Sequence, residues 1–287
     1  MQNTVLLNPE VDRLIQLALD EDRVLQDLTT QACGFSPSYP KTIQARVIAK
    51  KRAIAAGFPL VEKIFHNAQV SVKSRALVEE GKEILENTTW IELDGNPYDI
   101  LRLERVLLNF LMRACGIATS THVVVKSIEK YTCKLLHTRK TAPGHRYTDI
   151  YAALVGGANP HRQNLEDAIL LKENHLQCAA SIQAALDGIQ AHQSQTRFVE
   201  IEVRDVFELK YALQAKPDRI LLDNFKIPDL HRVVELYGGS VPFEASGGIT
   251  PDNAWAYAET GVEFISMGSI THSACAADLS LDCVEFA

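Results

Sequence analysis

The decapeptide HTRKTAPGHR, residues 137–146, gathers His137, Arg139, Lys140, His145 and Arg146 in a 287-residue chain whose formal net charge is −7. Farther along, His161, Arg162, Lys172 and His175 extend the set. Guanidinium groups offer planar forks and ammonium groups offer point charges, and both suit carboxylates and phosphates. The chemistry these residues point to is capture of a multiply anionic small molecule. A pI near 5.7 speaks against a general nucleic-acid surface, which needs cationic charge over a wide area. Glu202 and Asp223 end apolar runs. Carboxylate oxygens there suit Mg²⁺ bound beside phosphates, and salt bridges to the nearby cations are the alternative. In EASGGITPDN, Gly247-Gly248 follow an apolar run and precede a segment of helical character. Backbone N–H groups at such a turn, with a helix end behind them, would cradle a phosphate, although a plain tight turn uses the same residues.

These residues need elements that bring them together. Short apolar runs alternate with helical stretches: CKLLHT (133–138), AILL (168–171), FVEIEV (198–203), RILLD (219–223), VPFEAS (241–246) and EFISMG (263–268). This βα alternation predicts a parallel sheet or barrel. In a barrel the C-terminal ends of all strands open on one face. Arg139, Lys140, Lys172, Glu202, Asp223, Ser246, Gly247, Gly248 and Gly268 would therefore converge.

Before residue 100 the texture is mixed, with a helix-like PEVDRLIQLALDED and strand-like TIQARVIAKKRAIAAG and TTWIELDG separated by turn signals, which predicts a small α+β domain. LRLERVLLNFLMRACGIA then places Leu103, Val106, Leu107, Phe110, Leu111 and Ala114 on one helical face and leaves Arg102, Arg105, Asn109 and Met112 on another. That helix is expected to join the domains.

An apolar fraction of 46% and a charged fraction of 23% fit a soluble globular chain with room for a large core and a smaller domain. MQNTVLLNPEVDRL lacks a basic region leading into an apolar one, and no uninterrupted apolar run approaches the ~18 residues that span a bilayer. The expected address is the cytoplasm, with no membrane or nucleic-acid partner. The six cysteines form no CxxC pair and most have apolar neighbours, so buried thiols are expected in place of disulfides or zinc ligands.

HTRKTAPGHR, GGANPHRQNLEDAILLKENH, FVEIEV, LLDNF, EASGGI and MGSITHS, in that order, resemble the motif set of the quinolinate phosphoribosyltransferases. EDRVLQDLTT, AKKRAIAAG and LERVLLNFLMRACGIATST extend the resemblance over nearly the whole chain. It implies a type II phosphoribosyltransferase: an α/β fold with an N-terminal α/β sandwich over residues 1–112, to which 273–287 return, and an incomplete α/β barrel over 113–272. The implied reaction joins quinolinate to phosphoribosyl pyrophosphate with Mg²⁺, releasing diphosphate and CO₂ and leaving nicotinate mononucleotide for NAD synthesis. Arg139, Arg162, Lys172 and, from a second subunit of a homodimer, Arg105 would hold quinolinate, with Lys140 and His161 lining the same pocket. Lys140 and Lys172 would act in catalysis with Glu202 and Asp223, which would also serve the ribose hydroxyls and the metal diphosphate. Ser246, Gly247, Gly248, Gly268 and His272 would surround the 5′-phosphate.

The chain departs from that pattern at four places. His137 stands for a usual Asp, Gln26 for Gly and Ala142 for Thr, while Asn159-Pro160 precede His161 where a residue followed by Asn is expected. His137 is expected to be a bystander or a partner of Arg139, and His145 to be solvated. Three other readings stay open: a ModD-like homologue, a barrel aldolase or isomerase with a Schiff base on Lys140 or Lys172, and a catalytically silent phosphate-binding module. The carboxylate pair Glu202 and Asp223 disfavours the last, since plain anion capture gains nothing from it.

Overall fold

The structure, a computed structural model, describes residues 2–192 and 196–284. Its contacts divide the chain into two compact units, one of residues up to His122 with Thr141–Gly157 and the chain from Ile270, the other of Val123–Lys140 and Ala158–Ser269.

The first unit is built on β1 (Ile43–Ala49), β2 (Ala53–Ile54), β3 (Lys73–Ala76), β4 (Glu83–Ile84) and β5 (Thr88–Gly95). Strand β1 alternates strictly: Ile43, Ala45, Val47 and Ala49 are buried, whereas Gln44 and Arg46 are exposed, the pattern of a sheet with one wet face. The C-terminal strand Leu279–Cys283 pairs antiparallel with β1, and β1, β5 and β3 follow in order across the sheet. Helices bury one stripe each. Pro9–Glu21, started by Asn8 accepting from the Glu10 N–H and by Pro at its first position, buries Val11, Ile15 and Leu19. Gln26 ends a 3₁₀ turn without a positive φ, so nothing there demands the family's glycine.

The long helix Pro97–Ser127 buries Leu103, Val106, Leu107, Phe110, Leu111 and Ala114, as its spacing predicts. By length and composition it could cross a bilayer, yet 56% of its most apolar window is buried in the protein. Its second face differs from expectation. Arg105 and Asn109 are exposed, but Arg102 is buried, held 2.9 Å from Asp99 and stacked over Tyr98.

The helix Arg146–Val155 groups with the first unit, although a 112/113 boundary would assign it to the barrel. Buried bonds explain this. Asp149, fully buried, accepts from Arg113 Nε at 2.7 Å and Nη2 at 2.6 Å, and Tyr151 donates to Glu80, which also accepts the Phe58 N–H at 2.8 Å.

The second unit is a six-stranded, all-parallel sheet of β6 (Lys134–Leu136), β7 (Ile169–Leu171), β8 (Val199–Val203), β9 (Arg219–Asp223), β10 (Phe243–Ser246) and β11 (Phe264–Ser266). Their spatial order is β6-β11-β10-β9-β8-β7, so the barrel stays open between β6 and β7. Each strand falls inside one of the six apolar runs of the sequence. Asn159 adds a parallel bridge to Leu136 and donates to the Leu135 carbonyl at 2.7 Å, which covers part of the free β6 edge. Of the six cysteines only Cys115 and Cys133 are buried. Cys33, Cys178, Cys275 and Cys283 are exposed, and all six are free thiols. The expectation of mostly buried thiols fails because those four lie on helix ends, loops and an edge strand whose apolar neighbours point elsewhere.

Candidate active site

A cavity of about 680 Å³ opens at the C-terminal ends of the second unit's strands. Thr138, Arg139 and Lys140 reach it from the segment after β6, Lys172 from the end of β7, Glu202 from β8, Asp223 from β9, Ser246, Gly247 and Gly248 from β10, and Ser266 from β11. His161 and Arg162 enter from the connection between β6 and β7. Strand register sets these positions, with Asp223 beside Ser246, which lies beside Ser266 in turn.

The cationic side is crowded. Burial pulls the Arg162 guanidinium below its usual range, and the like charge of Arg139 acts in the same direction. Arg139 Nε is buried without a hydrogen-bond partner. Two guanidiniums forced together, one with an unmet donor, make a receptor for an anion. Lys172 Nζ lies 2.5 Å from Glu202 Oε2 and so joins this side to the acidic one.

Burial raises the pKa of Glu202, the Lys172 ammonium opposes it, and the charge of Asp223 pushes in the same direction as burial. A mutually repelling carboxylate pair fits a divalent cation. Two carboxylates are too few for an octahedral Mg²⁺, so the donor set suits an ion that keeps water and phosphate oxygens.

Gly247 has φ +94°, and a Cβ there would lie 2.2 Å from Asn224 Oδ1. Gly248, at φ +65°, has nothing within 4 Å of its Cβ position. The turn leaves room at the backbone for a phosphate. The helix expected behind it begins only at Ala254, because Asn253 ties the segment back by donating to the Gly248 carbonyl and accepting the Thr250 N–H. The cradle is therefore a turn and not a helix end.

Beneath the cavity lies a group that sequence reasoning missed. His161 Nε2 sits 3.0 Å from Glu200 Oε2 and 3.4 Å from Glu244 Oε2, and Arg219 Nη1 lies 2.7 Å from the latter oxygen. Burial and the neighbouring Glu244 raise Glu200 to about 7. Against its own burial, Glu244 is held down at about 2 by His161 and Arg219. Burial opposes charge on His161 and the two carboxylates favour it. The hydrogen bond decides between them: Nδ1 accepts the Arg162 N–H at 2.7 Å, so that nitrogen carries no proton and the ring is neutral, with its proton on Nε2. The alternation in VEIEV, which puts Glu200 and Glu202 on one face, was the available signal.

His137 also lines the cavity, and the remaining expected residues lie elsewhere. His137 is neither bystander nor Arg139 partner: fully buried, its Nε2 accepts the His161 N–H at 3.1 Å. Arg146 donates to Thr141, and His145 packs on Phe110 instead of being solvated. His175 caps its own helix, accepting the Lys172 N–H. Gly268 follows β11 beyond the cavity lining. Arg105 and His272 belong to the first unit, Arg105 exposed and His272 bonded to Ser273.

Fold and cavity chemistry together place the chain among the type II phosphoribosyltransferases. The family profile described as quinolinate phosphoribosyl transferase, N-terminal domain, matches residues 27–115, and that of the C-terminal domain matches 117–282. The chain belongs to the quinolinate phosphoribosyltransferase family and is an enzyme of that family. It is 35% identical over 286 residues to quinolinate phosphoribosyltransferase [decarboxylating] 1b of Nicotiana tabacum, covering 93% of this chain and 81% of the relative. Against the probable nicotinate-nucleotide pyrophosphorylase [carboxylating] of Methanocaldococcus jannaschii, identity is 33%, with 96% and 97% of the chains covered. The solved nicotinate-nucleotide pyrophosphorylase of Francisella tularensis superposes with a TM-score of 0.88 at 36% identity, over 96% and 97% of the two chains.

Proposed function

We propose that the chain transfers the phosphoribosyl group of phosphoribosyl pyrophosphate to the ring nitrogen of quinolinate, with release of diphosphate and CO₂, to give nicotinate mononucleotide for de novo NAD synthesis. The observation that carries this reading is the Arg139–Arg162 pair, two guanidiniums in one cavity with Lys172, opposite an acid pair and a glycine turn. A dicarboxylate beside a sugar diphosphate is the substrate set such a cavity suits.

Arg139, Arg162 and Lys172 hold the two carboxylates, and Lys140 and His161 complete the wall. Glu202 and Asp223 bind the ribose hydroxyls. The same two residues would hold Mg²⁺ through water or diphosphate; when bound, the ion neutralises charge on the leaving diphosphate. Ser246, Gly247 and Gly248 hold the 5′-phosphate. Catalysis is positioning and electrostatics: the pocket aims the ring nitrogen at the anomeric carbon as its bond to diphosphate breaks. When CO₂ leaves, the electron pair stays on the ring carbon, where the pocket cations favour it until that carbon takes up a proton from water to give the mononucleotide. Lys172 Nζ is held 2.5 Å from Glu202 Oε2 and the transfer needs no imine, so borohydride should trap no adduct.

The protein acts in the cytoplasm as a homodimer in which each subunit lends Arg105 to the other's pocket, a two-fold arrangement. The deciding experiment is release of labelled CO₂ from carboxyl-labelled quinolinate with phosphoribosyl pyrophosphate and Mg²⁺. Absence of release would overturn the assignment.

A further inference from the structure

The polar atoms of His161 are all engaged by the protein. Its N–H donates to His137, its carbonyl accepts from Arg197 Nη2 at 2.8 Å, Nδ1 accepts the Arg162 N–H, and Nε2 faces Glu200 and Glu244. The ring has no N–H left for a substrate. The next residue in the chain is Arg162, whose backbone the ring holds and whose Nη1 donates to the Ala168 carbonyl at 3.4 Å.

Glu200, Arg219, Glu244 and Phe264 come from four neighbouring strands, β8 to β11. Arg219 is stacked 4.2 Å from the Phe264 ring centroid and 5.2 Å from that of Phe198, whose edge also meets His161. His161, Glu200 and Glu244 are close enough to share a metal ion, their ligand atoms lying within 4.8 Å. Arg219, 2.7 Å from one carboxylate and 3.8 Å from the other, already supplies the cation. Glu200 Oε1 and Oε2 and Glu244 Oε1 are buried without a hydrogen-bond partner, so the contacts with His161 Nε2 and Arg219 Nη1 are what hold the cluster together.

We propose that Glu200 and Glu244 are positioning residues for the transfer reaction: with Arg219 they lock the His161 ring, and through its Nδ1 the backbone of Arg162, so that the Arg162 guanidinium is fixed in the cavity wall. This rests on the reading that Arg162 holds quinolinate. A misplacement of about 1 Å is enough to lower the rate ~100-fold, which explains why a binding arginine would be braced from behind.

Steady-state kinetics with each substrate varied in turn tests it. Glu200→Leu is expected to raise the quinolinate KM about tenfold or more while leaving that for phosphoribosyl pyrophosphate within about twofold. Glu200→Gln, whose amide oxygen can keep the 3.0 Å contact with Nε2, should restore most of the loss. Arg162→Lys serves as the control. If it leaves the quinolinate KM unchanged, the assignment of the pocket fails. If it raises that KM and Glu200→Leu does not, or shifts both substrates alike, the positioning role is overturned. A second measurement needs no variant at Glu200: ¹⁵N-histidine NMR of the wild-type protein, with His161 assigned by its loss in His161→Gln. A ring protonated on Nε2 alone and unchanged by added quinolinate supports the proposal. Protonation on Nδ1, or an Nε2–H signal that moves onto quinolinate, overturns it.

Discussion

Arg139 and Arg162 repel each other in a partly dry pocket, and that sets what they will accept. A ligand with one carboxylate leaves a cation unmatched, a loss on the order of 2–5 kcal/mol for a desolvated partner. Turnover should therefore need quinolinate, and nicotinate at equal concentration should give less than about 5% of the rate, as measured by formation of the mononucleotide. His137 makes a different prediction. Burial lowers its pKa from 6.5 to about 4 in the folded protein. A histidine held neutral contributes stability that is fully present above the unfolded value of 6.5 and is lost as pH falls toward about 4. The loss amounts to about 3 kcal/mol at most. Thermal melts between those limits should show it, and His137→Gln, which keeps an acceptor for the His161 N–H but does not titrate, should melt with a flatter acid limb.

At the level of the element, the turn after β10 is the most constrained piece of the site. Gly247→Ala would place a Cβ against Asn224 and hold alanine at φ +94°, which costs at least about 1–2 kcal/mol for the backbone alone. The phosphoribosyl pyrophosphate KM should rise and the melting temperature fall. Gly248→Ala, with open space at its Cβ, should fold nearly as well as wild type and lose affinity for the same substrate. The strands behind this turn were readable from sequence because each is a short apolar run bounded by turn residues, and a parallel sheet buries both faces. VEIEV and FEAS hid more. Their glutamates at 200 and 244 break the apolar rule inside a barrel, and only the arrival of Arg219 and His161 from distant positions makes them tolerable. The anchoring of Arg146–Val155 in the first unit depends likewise on a partner, Arg113, that no local pattern reveals.

For the whole molecule, Arg105 is the residue to watch, exposed on the long helix of the first unit and proposed above to enter a second subunit's pocket. Arg105→Ala and Lys172→Ala proteins should each be inactive yet folded by circular dichroism. Refolded together, they should recover about a quarter of wild-type activity, since a mixed two-fold dimer has one intact site of two. No recovery would mean that Arg105 serves its own chain, and activity in Arg105→Ala alone that it serves none.

The pairing of Leu279–Cys283 with β1 also has a meaning in time. The second unit's strands, β6 to β11, leave the ribosome before that last strand, and β1 and β5 precede them all. At ~5–20 residues per second, β1 waits on the order of ten seconds or more with one edge unpaired, an invitation to association with other nascent chains. Arg46 and Lys50, on and beside that strand, carry charge during the wait, so the sequence that later faces solvent first serves as a guard for an unfinished sheet.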